Sequence, residues 1–284
     1  MPVLHFLRGE RMNAAHGVTL TAAAAAFDRV ASSYDAQFTH TAIGRAQRRQ
    51  VWTSLLAEFP TGSRVLELNC GTGEDARFLA TRGRSVLACD ASSAMIEVAK
   101  RQVRKEDRSA NLEYFQLSNE ELASLSGRKP FDGAFSNFSG LNCLADLRPF
   151  ARDLANLVRP GGRVLLCLWS RLCVAEVIWF LLHGQLQKVF RRLRANSVAK
   201  LGGLAISVTY HTFHDVRRSF SPWFELRSRR AVGLFVPPSY AEQWMRRHEK
   251  ALVQMERLDR VCSEWPFLRD LGDHMLLEFV RCNP

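Results

Sequence analysis

Along the middle of the chain, short runs of consecutive apolar residues alternate with stretches whose apolar positions recur every three or four residues. The runs read as strands buried on both faces, the stretches as helices packed by one face. The strands are Ser63–Leu68, Ser85–Asp90, Leu112–Leu117, Gly133–Asn137 and Arg163–Trp169. The helices between them are Glu74–Thr81, Ala94–Val103, Glu120–Leu125 and Leu147–Leu157. Turn signals bracket the series, with Pro60-Thr61-Gly62 before it and Arg159-Pro160-Gly161-Gly162 ahead of its last strand. This alternation predicts an α/β fold with a doubly wound, mostly parallel sheet. Upstream, residues 21–58 read as two helices with a break at Ser32-Ser33-Tyr34-Asp35. Residues 1–20 show no clear periodicity and read as a poorly ordered tail.

After Trp169 the pattern changes. Val174–Arg194 reads as one long helix, apolar first and basic later. Leu204–Tyr210 reads as a strand extending the sheet, Val216–Phe220 as a helix, and Phe224–Val232 and His274–Arg281 as strands around a helical insertion, Tyr240–Val261. Three segments follow: N-terminal helices over 1–58, a core over 59–170, and cover helices with the last strands over 171–284.

The chain has 284 residues, long enough to bury a sizeable core without staples or metals. Its formal net charge is +11, and the excess is local. Residues 171–230 carry 11 cations against 3 acids, whereas residues 1–170 carry 21 against 17. The basic stretch suits an anionic substrate, a membrane surface, nucleic acid or plain solvation. The seven cysteines are an odd number without CxxC spacing, which argues against a disulfide framework or a zinc site; no metal site is expected. The longest apolar run, Val177–Leu182, is far short of the ~20 residues that span a bilayer, and no secretory signal is visible. The expected location is the cytoplasm.

Ligands on open α/β sheets sit at the carboxyl ends of the strands. The first such end reads Glu67-Leu68-Asn69-Cys70-Gly71-Thr72-Gly73, where glycines let the backbone turn sharply and approach a ligand. Asn69 stands where a third glycine would be expected, and Asn tolerates positive φ. Asp90 ends the next strand, where a carboxylate can accept both hydroxyls of a ribose. Together the two ends form a nucleotide-type signal.

With these residues, the chain resembles the class I S-adenosylmethionine-dependent methyltransferases. It looks most like the small-molecule branch holding the ubiquinone/menaquinone C-methyltransferases and the carrier-protein methyltransferase of biotin synthesis. The matching motifs are Phe27–Asp35, Val65–Gly73, Asp90–Met95, Phe131–Phe138 and Leu157–Gly162, so the resemblance covers roughly residues 21–170. It implies a Rossmann-like sheet of seven strands with helical insertions as a substrate cover. It also implies S-adenosylmethionine as cofactor, S-adenosylhomocysteine as product, and methyl transfer to an O, C or N atom of a small, fairly apolar metabolite.

Roles carry over residue by residue. Glu67 would lie near the cofactor's amino group, with Asn69, Cys70, Gly71 and Gly73 forming the loop that cradles its methionine part. Asp90 would hold the ribose, Ala91 and Met95 would flank the adenine, and Ser118 and Asn119 would meet its edge. Asn137 would touch the cofactor from the fourth strand end, and Tyr34 would close over it. Ser118 departs from the family's usual Asp, and Gly140-Leu141-Asn142-Cys143 replaces a His pair that many relatives carry. His211, His214 and Tyr34 are then the candidate catalytic groups. The cover segment 173–194 reads as an apolar substrate wall with a basic mouth, as a helix lying on a membrane surface, or as an amphipathic helix on the sheet. Competing functions are a non-catalytic scaffold of the same fold, an RNA methyltransferase and an NAD-dependent oxidoreductase. No RNA-binding addition is visible, so nucleic acid is a poor fit as partner, and the oligomeric state is open.

Overall fold

The computed structural model describes residues 5–6, 19–103, 111–193 and 196–283. The elements begin with β1 (His5–Phe6), α1 (Thr19–Tyr34), a π turn (Asp35–Thr39) and α2 (Ala42–Glu58). The core follows as β2 (Arg64–Leu68), α3 (Glu74–Ala80), β3 (Ser85–Asp90), α4 (Ser93–Gln102), β4 (Leu112–Gln116), β5 (Phe131–Ser136), α5 (Arg148–Ala155) and β6 (Val158–Trp169). Then come α6 (Val174–Leu182), α7 (Leu186–Val189), β7 (Asn196–Leu201), β8 (Leu204–Thr209), α8 (Phe213–Phe220) and β9 (Phe224–Val232). The chain closes with α9 (Glu242–Met245), α10 (Glu249–Cys262) and β10 (His274–Arg281).

Seven strands form the main sheet in the order β4-β3-β2-β5-β6-β10-β9. β2 to β6 run parallel, while β10 pairs antiparallel with both β6 and β9. Successive strand residues enter opposite cores, as a period of two requires. On β3, Val86 and Ala88 join the core under α2 and α3, while Leu87 and Cys89 join the one under α5 and α8. On β6, Leu165 and Cys167 face the first core; Val164, Leu166 and Leu168 face the second. Burial on both faces is why these strands are unbroken apolar runs.

Three expectations need correction. Val174–Arg194 is not one helix: α6 ends at Leu182, and Gly184 turns the chain at φ +67 before α7; Arg194 lies outside the described residues. Leu204–Thr209 does not extend the main sheet. It pairs with β7, which the sequence reading missed, in a second sheet of order β1-β7-β8, with Gly202-Gly203 at the hairpin turn. Tyr240–Val261 is broken between α9 and α10. The expected tail falls mostly outside the described residues, at positions 1–4 and 7–18.

Gly133 gives one motif glycine a packing reason. A Cβ there would overlap the Arg163 carbonyl oxygen and the Phe59 ring, so β5 approaches both β6 and the end of α2 through bare backbone. Gly133→Ala is expected to cost about 3 kcal/mol through overpacking, read as a lower urea midpoint with unchanged m-value.

Candidate cofactor-binding site

The cavity opens at the carboxyl ends of β2, β3 and β5, where doubly wound sheets place ligands. The loop after β2 takes left-handed conformations at Asn69 (φ +58), Gly71 (φ +54) and Gly73 (φ +74). Asn69 adopts the conformation expected of a glycine and also ties the loop down, its Oδ1 accepting the Ser136 hydroxyl at 3.0 Å. Gly140 seats against it so closely that a Cβ would overlap the Asn69 side chain. At Gly71, by contrast, an added Cβ would meet only the Tyr34 ring, at 4.0 Å, so open space lies beside the loop backbone.

Asp90 organises the loop from the next strand. Its Oδ2 accepts the Gly71 N–H at 2.8 Å and its Oδ1 the Ser92 N–H at 2.9 Å. Burial pushes the carboxyl above its ordinary range against the pull of those two bonds. Glu67 lies below the loop, 1% exposed, with its Oε2 lacking any hydrogen-bond partner. Burial, reinforced by Asp75, raises this carboxyl well above the usual carboxylate range. A buried carboxyl with one unpartnered oxygen beside an open glycine turn fits a cationic ligand group.

A second carboxylate joins three elements. Asp75, on the first turn of α3, accepts Trp52 Nε1–H at 2.6 Å and Asn137 Nδ2–H at 2.8 Å, and pairs with Arg48 Nη1 at 2.6 Å. Arg48 then sits 4.8 Å from the Phe138 ring centroid with its Nε unpartnered, on the cavity wall.

The N-terminal helix closes the cavity through Ala23, Ala24, Phe27 and Tyr34. Two aspartates anchor it. Asp28 accepts the Ser92 hydroxyl at 2.6 Å and the Ala94 N–H at 3.0 Å; Asp35 accepts the Thr72 hydroxyl at 2.6 Å and Gln102 Nε2–H at 2.5 Å. Burial works against the Asp35 carboxylate, but hydrogen bonds from Thr72, Gln102 and Thr39 hold its pKa below the ordinary value. Burial lifts the Tyr34 phenol to about 12, so it stays a neutral hydrogen-bond donor.

From this lid a chain of rings runs along the strand ends. Successive centroids are 6.5 Å apart for Phe27–Tyr34, 5.9 Å for Tyr34–Phe38, 5.0 Å for Phe38–Phe138, 5.5 Å for Phe138–His274, 6.4 Å for His274–Trp169 and 6.0 Å for Trp169–Tyr210. His274, the first residue of β10, is buried with its Nδ1 unbonded, 3.4 Å from Asp273. Burial holds its pKa down to about 4, Asp273 opposing and Arg192 assisting. The imidazole is therefore neutral near pH 7.

The structure brings ten of the expected residues to one cavity: Tyr34, Asn69, Cys70, Gly71, Asp90, Ala91, Met95, Ser118, Asn119 and Asn137. Glu67 and Gly73 support it from outside its lining. Gly73 packs where a Cβ would overlap the Tyr114 ring. His211 and His214 do not reach the cavity. His211 is buried with Nε2 on the Leu144 carbonyl at 2.9 Å, and His214 borders a shallow cleft of α8 with Arg148 and Arg218. No described residue from 171–283 lines this cavity, and α1 covers it. Arg48, Asp75, Phe138 and His274 were missed by sequence reasoning. The available signal for Arg48 was a charge among the apolar positions Ile43, Ala46, Val51 and Leu55 of α2. Among the described residues, no three His, Cys, Asp or Glu side chains stand together as a metal site. All seven cysteines are free, and no described helix is long and apolar enough to cross a membrane.

Fold and site together define a Rossmann-like protein with a cavity at the carboxyl ends of its parallel strands. Residues 65–162 match the family pattern of a methyltransferase domain. The demethylmenaquinone methyltransferase of Clavibacter sepedonicus is 32% identical over 146 residues, 51% of this chain and 57% of that protein. The tRNA 5-carboxymethoxyuridine methyltransferase of Escherichia coli K12 is 30% identical over 148 residues, 51% of this chain and 56% of that protein. The malonyl-[acyl-carrier protein] O-methyltransferase of Salmonella typhimurium is 29% identical over 257 residues, 88% of this chain and 91% of that protein. The chain thus spans little more than half the length of the first two relatives. Among solved structures, DhpI in complex with S-adenosylhomocysteine superposes with a TM-score of 0.59 at 16% identity, covering 95% of this chain and 100% of that one. Residues 65–162 are thus similar to a methyltransferase domain, and the chain shares its fold with a methyltransferase-type structure that holds S-adenosylhomocysteine.

The neutral imidazole makes a pH prediction. On unfolding, His274 regains an ordinary pKa of about 6.5 and takes up a proton that the folded site refuses. Its contribution to stability is complete above pH ~6.5 and is lost as pH falls toward ~4, by up to about 3 kcal/mol. Urea unfolding of the wild type and His274→Gln across this range checks it. The wild type should lose about 3 kcal/mol more than the variant; parallel curves would show that the imidazole is not held neutral.

Proposed function

We propose that the cavity binds S-adenosylmethionine and that the chain transfers its methyl group to an O, C or N atom of a small, largely apolar acceptor. One observation carries this reading: the Asp90 carboxylate and the open Gly71 turn meet at one strand-end cavity under an alanine-lined lid, with the unpartnered Glu67 Oε2 buried outside the lining. Asp90 receives the ribose hydroxyls, because it lines the cavity at the end of β3. Glu67 attracts the amino group through the loop, and Arg48, whose guanidinium retains unused donors, meets the carboxylate. Ala91, Met95, Ser118 and Asn119 enclose the base.

The bound cofactor supplies a sulfonium methyl that is already electrophilic. The protein's share is then to align an acceptor and to exclude water, and alignment alone is worth up to ~7–11 kcal/mol. Of the ring chain, Phe27, Tyr34 and Phe138 line the cavity and give the acceptor an apolar wall. Tyr34 offers that wall a neutral hydroxyl, and Arg48 a positive charge at its edge. The relatives named for demethylmenaquinone and for malonyl-[acyl-carrier protein] support a small acceptor group. The tRNA-modifying and demethylmenaquinone relatives each match 51% of this chain, so the malonyl-[acyl-carrier protein] relative, which covers 88% of it, favours the small acceptor.

Calorimetric titration with S-adenosylhomocysteine, with NADH as control, tests the reading. Micromolar binding of the first alone is expected. Asp90→Ala should weaken it about a hundredfold, since hydrogen bonds to a charged group are worth ~1.5–3 kcal/mol each. Tyr34→Phe, which keeps the ring, should change affinity less than about threefold. Binding of NADH, or of neither ligand by folded protein, would overturn the proposal.

A further inference from the structure

Large apolar side chains are exposed very unevenly over the molecule. Of the fourteen exposed among the described residues, all but Phe115 lie between Ile178 and Phe267. Two groups dominate. The first follows α6 and its continuation: Ile178, Leu181 and Leu182, then Leu186, Phe190 and Leu193. The second lies on and after α10, where Val253, Leu258 and Val261 lead to Trp265 and Phe267. Several project almost freely, with Leu182 79% and Phe267 90% exposed. Both groups sit on elements packed over one small core, which Trp179 of α6 and Leu252 and Met255 of α10 share.

Cations accompany these side chains. Lys250, Val253, Arg257 and Val261 recur at three- and four-residue intervals, so they share the solvent face of α10. Lys250, Arg257 and Arg260 are exposed and pair with no carboxylate among the described residues; Lys188 is exposed beside Leu186 and Phe190. A monomer rarely exposes so much apolar surface without a use for it.

We propose that this face docks the protein on an anionic lipid bilayer, the projecting leucines and aromatics entering the headgroup region while the cations meet lipid phosphates. The mixture of charge and apolar bulk selects this occupant. A second copy joined about a two-fold axis would put a patch with the same unpaired cations on both sides of the interface. Nucleic acid would leave the exposed leucines unused.

Vesicle flotation of the full chain tests the proposal, with phosphatidylcholine alone and with phosphatidylcholine containing phosphatidylglycerol. Binding is expected only with the anionic lipid, and it should fall with salt. Leu182→Glu combined with Leu186→Glu should weaken it at least about tenfold. Lys250→Gln, Arg257→Gln and Arg260→Gln together should weaken it about a hundredfold, at ~1 kcal/mol per cation. Both variants should keep the wild-type circular dichroism and S-adenosylhomocysteine affinity, because neither touches the cavity. Three results would overturn the proposal: no flotation with anionic vesicles at low salt, vesicle binding that neither variant reduces, or light scattering that finds a dimer dissolved by the leucine variant. Competition of equal strength by RNA, unaffected by the leucine variant, would assign the face to nucleic acid instead.

Discussion

The arrangement depends on one buried carboxylate. Asp75 takes hydrogen bonds or an ion pair from Trp52, Arg48 and Asn137, so a single side chain of α3 ties α2, the end of β5 and its own helix together. A carboxylate removed from water is costly unless its lone pairs are filled, and three donors fill them here. The consequence reaches the site. Arg48 is held against Phe138, a residue kept at φ +47, and Asn137 is turned toward the cavity. Taking away the carboxylate would leave a buried guanidinium unpaired, which costs ~3–5 kcal/mol in comparable settings.

The same logic explains where the arginines go. The chain carries +11, yet many guanidiniums are structural. Arg192 reaches Glu176 at 2.7 Å and Asp273 at 2.6 Å, and Arg191 makes two bonds of 2.8 Å to the same Glu176. Gln47 completes Asp273 at 3.1 Å and so joins α2 to the start of β10. The fork of a guanidinium suits such paired acceptors. Charge counted along residues 171–230 therefore overstates what that segment shows to solvent. The unpaired cations of α10 lie outside it.

This separation also marks what the chain's pattern reveals. The five parallel strands are legible because burial on both faces makes each a continuous apolar run, and the loops at Asn69–Gly73 and Asp90 are legible because a tight turn and a strand-end carboxylate are local features. Arg48, Asp75 and His274 are not legible. Their meaning lies in partners far away in sequence, as between Gln47 and Asp273, 226 positions apart. β7 and its pairing with β8 are missed for a different reason. β7 is only partly buried, so it lacks the apolar run that reveals β2 or β6.

That hairpin nonetheless backs the lid. Ala26 and Val30 on α1 share a core with Ala199, Ile206 and Val208 of the second sheet. At the turn, Gly202 lies so near α1 that a Cβ would come within 2.8 Å of Arg29 Cβ, and Arg29 Nη1 donates to the Gly202 carbonyl at 3.1 Å. The small side chains of the alanine run permit this approach on one face of α1, while Ala23 and Ala24 meet the cavity. The helix is thus held between the small sheet and the strand ends, and Asp28 and Asp35 set its height above the loop. Two carboxylates at the rim and a small sheet behind it therefore fix one helix over the cavity.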